Sequence, residues 1–111
     1  MSEVAERVLE GKRALITGAG KGIGAELSRA FAEAGASLVL SGRDATALSA
    51  QAARLAAEFG VAATAVAADL SGAGEPERLA LAALTAYDGL DVLVNNAGIS
   101  HPELSVALTA E

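Results

Sequence analysis

Ala14-Leu15-Ile16-Thr17-Gly18-Ala19-Gly20-Lys21-Gly22-Ile23-Gly24 is a short apolar run that ends in a glycine-rich turn. A helical pattern begins at once after the turn. Such a join aims backbone N–H groups and the positive end of a helix dipole at one point, which suits a phosphate group. Glycine is required there because a Cβ would hold a diphosphate away from the backbone, and because the turn calls for positive φ. Spacing excludes two common phosphate binders. The G-x-G-x-x-G fingerprint fails at its third glycine, where Ile23 stands. The P-loop fails twice, since Gly20-Lys21 is followed by Gly22 and Leu15 occupies the earlier glycine position.

From this turn onward, strand-like and helix-like segments alternate, which predicts an α/β fold with a parallel sheet in one domain over 1–111. Strands are expected over 13–17, 37–41, 61–67 and 91–95. The first helix is expected over 22–34, burying Ile23, Leu27, Ala30, Phe31 and Ala34. Asp44 is the expected N-cap of a second helix that buries Leu48, Ala52, Leu55 and Phe59 and ends at Gly60. Pro76 suits the first turn of a third helix burying Leu79, Ala83 and Tyr87. The stretch 97–108 reads as irregular, and Thr109 as the N-cap of a further helix.

Composition narrows the function classes. The chain is 52% hydrophobic and 3% aromatic, so its core is built from Ala, Leu and Val. It has no cysteine, which removes disulfides and thiolate metal sites and suits a reducing, cytoplasmic setting. Its net charge is −6 with eight dispersed basic residues, against a nucleic-acid surface. The acidic start Met1-Ser2-Glu3-Val4-Ala5-Glu6 carries no signal-peptide pattern, and no apolar run is long enough to span a bilayer. His101 has no identifiable partner and reads as a loop residue beside Pro102, so neither metal nor catalysis is assigned to it.

Thr17-Gly18-x-x-x-Gly22-Ile23-Gly24 and Asn95-Asn96-Ala97-Gly98 occur in the order found in the short-chain dehydrogenase/reductase family, which this chain resembles over nearly its whole length. The resemblance implies a Rossmann-type doubly wound parallel sheet of order 3-2-1-4, with the family's later strands beyond this stretch. The outer edge of the fourth strand, Val92-Leu93-Val94, is then expected to be bare and prone to aggregation. Gly18, Gly20, Lys21, Gly22 and Ile23 are expected to wrap the diphosphate. Asp69 and Leu70 are expected along the adenine ring; the alternative for Asp69 is a turn closed on its own backbone. Ala97 and Gly98 are expected to leave room for the ribose–nicotinamide group, and Asn95 and Asn96 to hydrogen-bond backbone groups across neighbouring strands, with Asn95 counted among the cofactor-binding residues.

The phosphate state of the cofactor follows from the residues themselves. Binders of NAD carry an acid at the end of the second strand to hold the ribose hydroxyls. Here Gly42 stands in that place, Arg43 follows, and Lys21 sits in the turn. A guanidinium fork and an ammonium favour a 2′-phosphate, so NADP(H) is expected over NAD(H). Asp44 is the complication, as a carboxylate able to turn toward a ribose.

In the resembled family the chemistry belongs to a Ser and a Tyr-x-x-x-Lys pair. This chain has one Tyr, Tyr87, followed four positions later by Asp91, and no Lys after Lys21. The expectation is therefore the cofactor-binding part of an NADP(H)-dependent oxidoreductase acting on a small carbonyl or alcohol, with no catalytic residues in this stretch. The expectation that goes with their absence is a truncated product or a partial sequence. The resemblance also implies a homo-oligomer for the intact protein. Alternatives are a non-catalytic nucleotide-binding remnant or an S-adenosylmethionine-dependent methyltransferase. The latter lacks an acid before the turn, where Ile16 and Thr17 stand.

Overall fold

A computed structural model describes residues 7–96 and a strand at 105–108. The elements are β1 (Arg13–Ile16), α1 (Gly22–Glu33), β2 (Ser37–Gly42), α2 (Ala45–Phe59), β3 (Ala63–Ala67), α3 (Glu75–Ala86), β4 (Val92–Asn95) and β5 (Ser105–Leu108). The strands form one sheet in the order β3-β2-β1-β4-β5. The first four are parallel, with Leu15 opposite Val39 on one side and Leu93 on the other.

Alternation along the central strands splits the core in two. Ala14, Ile16, Leu38, Leu40, Val92 and Val94 face α1 and α2, where Leu48, Ala52 and Leu55 pack. Leu15, Val39 and Leu93 face the other way, onto Leu79 and Ala83 of α3. Apolar residues on both faces of β1 and β2 follow from burial on both sides. This is the parallel α/β arrangement that the alternating pattern predicts, in the doubly wound order that the resemblance implies.

Two expectations are corrected. The inner line of α1 is Gly24, Ser28 and Ala32. Leu27 and Phe31 flank it half-buried, Ala30 is exposed, and Ile23 is 61% exposed. Hydrophobic periodicity selects the bulkiest stripe, whereas this helix lies so close to the turn below it that only small side chains fit. Ser28 is tolerated there because its hydroxyl donates to the Gly24 carbonyl at 2.7 Å.

The edge of β4 is the second correction. It is not bare: β5 pairs with it antiparallel, from Val92 opposite Leu108 to Asn95 opposite Ser105. Unpaired ladder groups on β4 find donors and acceptors in a segment whose four residues are too few to show an alternating pattern. The aggregation expected from an open Val92–Val94 edge loses its basis.

At the amino-terminal edge of the sheet, Asp91 clasps β1 to β4. Its Oδ2 accepts from the Arg13 backbone N–H and from Arg13 Nε, both at 2.8 Å, and Oδ1 accepts from Nη2 at 3.1 Å. These Arg13 bonds, side-chain first, lower the Asp91 pKa to about 2 from an ordinary 3.8. A depressed carboxyl contributes stability above its unfolded pKa and loses it as pH falls toward the folded value. Denaturant midpoints are expected to fall between about pH 4 and pH 2, with a shallower fall in Asp91→Asn, which also starts from a lower midpoint at pH 7. Parallel pH profiles for the two proteins would refute this assignment.

Candidate functional site at the carboxyl ends of the strands

Those expected site residues that the structure describes gather where β1, β2, β3 and β4 end. Thr17, just past β1, joins two of these ends. Its hydroxyl lies 3.0 Å from Asn95 Oδ1 and accepts from the Asn96 backbone N–H at 2.9 Å. Asn96 Nδ2 then donates to the Gly18 carbonyl at 3.3 Å. Thus the Asn-Asn pair at the end of β4 buttresses the glycine turn, and Asn95 itself remains exposed at the carboxyl end of its strand.

Packing decides two of the glycines. At Gly18 (φ +62°) a Cβ would lie 2.9 Å from the Asn96 carbonyl oxygen. At Gly24 it would lie 1.9 Å from the Gly18 carbonyl oxygen. The turn therefore folds back on the first coil of α1, and Ala19, donating from its N–H to Ser41 O at 2.9 Å, ties it to the end of β2. Gly20 is half-buried near Leu48.

The open side of the turn differs. Lys21 is the N-cap of α1 in an extended conformation, and no side chain caps the helix. Lys21, Gly22 and Ile23 are exposed. Gly22 has φ +60° with open space where a Cβ would stand. The first N–H groups of a helix need acceptors. A helix start that no side chain caps, beside a Gly22 with open space at its Cβ position, fits a diphosphate.

At the end of β2, Gly42 leaves room: a Cβ there would meet Leu48 at 3.5 Å, ordinary contact. Arg43 and Lys21 are exposed, and among the described residues neither lies within salt-bridge distance of a carboxylate. Asp44 is committed elsewhere. Its Oδ1 accepts from the Ala47 N–H at 3.1 Å, capping α2 as predicted. Replacing this cap with alanine is expected to cost about 1 kcal/mol, read as a lowered urea midpoint without altered NADPH affinity.

The Ala68 N–H donates to the Gly42 carbonyl at 2.8 Å, joining the ends of β2 and β3. Asp69 follows. Its Oδ1 accepts from the Ser71 hydroxyl at 2.7 Å and from the Ser71 N–H at 3.1 Å. These bonds, then the nearby positive charge of Arg43, lower its pKa. The backbone-turn alternative is thus present, and it fixes the carboxylate rather than removing it. Leu70 is half-buried and packs toward the α3-side core. Ala97, Gly98, His101 and Thr109 lie outside the described residues. The sequence reading missed that Gly24 is set by the Gly18 carbonyl and that Thr17 is the link to Asn95 and Asn96. Both stand in the quoted motif, but neither role shows in a linear string.

Residues 12–111 match the model of the short chain dehydrogenase family. The chain belongs to that family. One relative, the 1-deoxy-11-beta-hydroxypentalenate dehydrogenase of Streptomyces exfoliatus, is 45% identical over 94 residues, covering 85% of this chain and 34% of its own length. Among solved structures, the Pseudomonas aeruginosa RhlG/NADP active-site complex superposes with a TM-score of 0.75 at 42% identity, covering 83% of this chain and 36% of that one. The L-sorbose reductase of Gluconobacter frateurii, complexed with NADPH and L-sorbose, gives a TM-score of 0.78 at 36% identity over 85% of this chain and 36% of that one. This short-chain dehydrogenase sequence therefore spans about a third of the length of such relatives, and the partial Rossmann sheet is the part it shares. Tyr87 is structural in it, with its hydroxyl donating to the Leu38 carbonyl at 2.9 Å. No helix among the described residues is long and apolar enough to cross a membrane.

Proposed function

We propose that this chain is the cofactor-binding part of an NADP(H)-dependent short-chain oxidoreductase that transfers hydride between NADP(H) and a small carbonyl or alcohol. One observation carries the reading: the uncapped start of α1, with exposed Lys21 and open Gly22, is accompanied by a β2 that ends at Gly42 with Arg43 next, where an acid would otherwise stand.

Gly18, Gly20, Lys21, Gly22 and Ile23 hold the diphosphate through backbone N–H groups. Arg43 takes the 2′-phosphate, with Lys21 adding charge. Asp69 and Leu70 flank the adenine, and Asn95, Ala97 and Gly98 lie toward the nicotinamide ribose. Asp44 does not compete for ribose hydroxyls, because its carboxylate caps α2. The bound dinucleotide supplies or accepts the hydride; this stretch binds and orients it. The NADP and NADPH complexes among similar structures support the cofactor. A cytoplasmic setting and a homo-oligomeric whole protein complete the proposal.

Titrating the folded chain with NADPH, NADH and S-adenosylmethionine tests it. NADPH is expected to bind about tenfold to a hundredfold more tightly than NADH, the worth of one charge-assisted hydrogen bond. Equal affinities would remove the 2′-phosphate assignment, and tighter binding of S-adenosylmethionine would replace the reading with a methyltransferase.

A further inference from the structure

Arg78, in the first turn of α3, reaches back to the end of β3. Its Nη2 donates to the Ala67 carbonyl and to Glu75 Oε1, each at 2.8 Å, and its Nε donates to Glu75 Oε2 at 3.0 Å. One guanidinium thus ties the strand end to the helix start. Glu75 in turn bears on the 69–72 turn. Its Cγ sits where a Cβ on Gly72 would be 3.0 Å away, and its N–H donates to the Gly72 carbonyl at 3.2 Å. The Gly72 N–H closes the turn on the Asp69 carbonyl at 2.8 Å. Arg78 holds the Glu75 carboxyl below its ordinary range.

We propose that Arg78, acting through Glu75, is a positioning residue that fixes the Asp69–Leu70 turn for the nucleotide. The inference rests on the dinucleotide reading above. A planar fork bridging two acceptors is preorganised in a way that an ammonium is not. The structural alternative is an exposed ion pair that steadies α3 alone, which is the ordinary fate of such pairs.

Epistasis separates the two. NADPH affinity is measured by fluorescence titration of the full chain, with thermal midpoints in parallel, for Arg78→Ala and Arg78→Lys, each with Asp69 intact and with Asp69→Asn. With Asp69 intact, Arg78→Ala is expected to weaken NADPH about fivefold and Arg78→Lys by less. In the Asp69→Asn background the affinity loss largely disappears, while the thermal midpoint falls equally in both backgrounds. If Arg78→Ala does not fold, Glu75→Gln carries the same comparison. Unchanged affinity, or an equal loss in both backgrounds, overturns the positioning role. Failure of the unaltered protein to bind NADPH overturns the nucleotide site, and this inference with it.

Discussion

Gly24→Ala is expected to abolish measurable NADPH binding and to destabilise the fold by about 3 kcal/mol, at the upper end for overpacking. The added Cβ would stand 1.9 Å from the Gly18 carbonyl oxygen and 2.7 Å from Asn96 Nδ2. A Cβ has no rotamer with which to escape, so α1 must lift from the turn. Lifting α1 breaks the Asn96–Gly18 hydrogen bond and moves the helix start away from the N–H groups that would share the diphosphate. Gly22→Ala makes the contrast. It meets no atom within 4 Å, so its penalty comes from φ +60° alone. That penalty is about 1–2 kcal/mol. Urea midpoints and NADPH titrations of both variants should rank them in that order. A Gly24→Ala protein with ordinary stability would show that the helix does not sit on the turn as described.

The second large effect is on cofactor choice. In Gly42→Asp combined with Arg43→Ala, the preference for NADPH over NADH is expected to invert. The total change in the ratio of dissociation constants is about a thousandfold, adding the lost guanidinium bonds to the gain of a ribose-binding carboxylate that also repels phosphate. Room exists for the change, because a Cβ on Gly42 meets Leu48 only at ordinary contact distance. Arg43 is exposed, so its removal leaves the core intact. Each single substitution should move the ratio part of the way. If the double variant binds NADPH as the unaltered protein does, Arg43 does not hold the 2′-phosphate.

Much of this was legible in the linear sequence, for reasons that differ by element. The central strands are apolar on both faces, and Gly18, Gly35 and Gly60 take positive φ between elements, so β1, α1, β2 and α2 fall within a residue or so of their expected places. Asp44 at the start of α2 and Gly60 at its end are local signals with local causes, and both hold. The α1 stripe failed because its inner line is fixed by a tertiary contact, Gly24 against Gly18, that favours small residues over apolar bulk. β5 failed because four residues paired to a distant strand have no local signature. For the site, Lys21, Gly22, Arg43, Asp69 and Asn95 are brought to one end of the sheet as expected. Their support was partly legible: the Asn pair was expected to bond backbone across strands, and Asn96 does so at Gly18. The Thr17 link to Asn95 and Asn96 and the bond from Arg78 to the Ala67 carbonyl join residues distant in sequence, and only the folded chain shows them.

Backbone amide shifts of the isotopically labelled chain, followed by NMR during NADPH titration, test the diphosphate turn most directly. The amides of Gly20, Lys21, Gly22 and Ile23 should move together with that of Arg43, and Arg43 should move far less with NADH. A titration that leaves the Gly18–Gly24 amides unmoved, or that shifts only residues on α3, would contradict a nucleotide held at the start of α1.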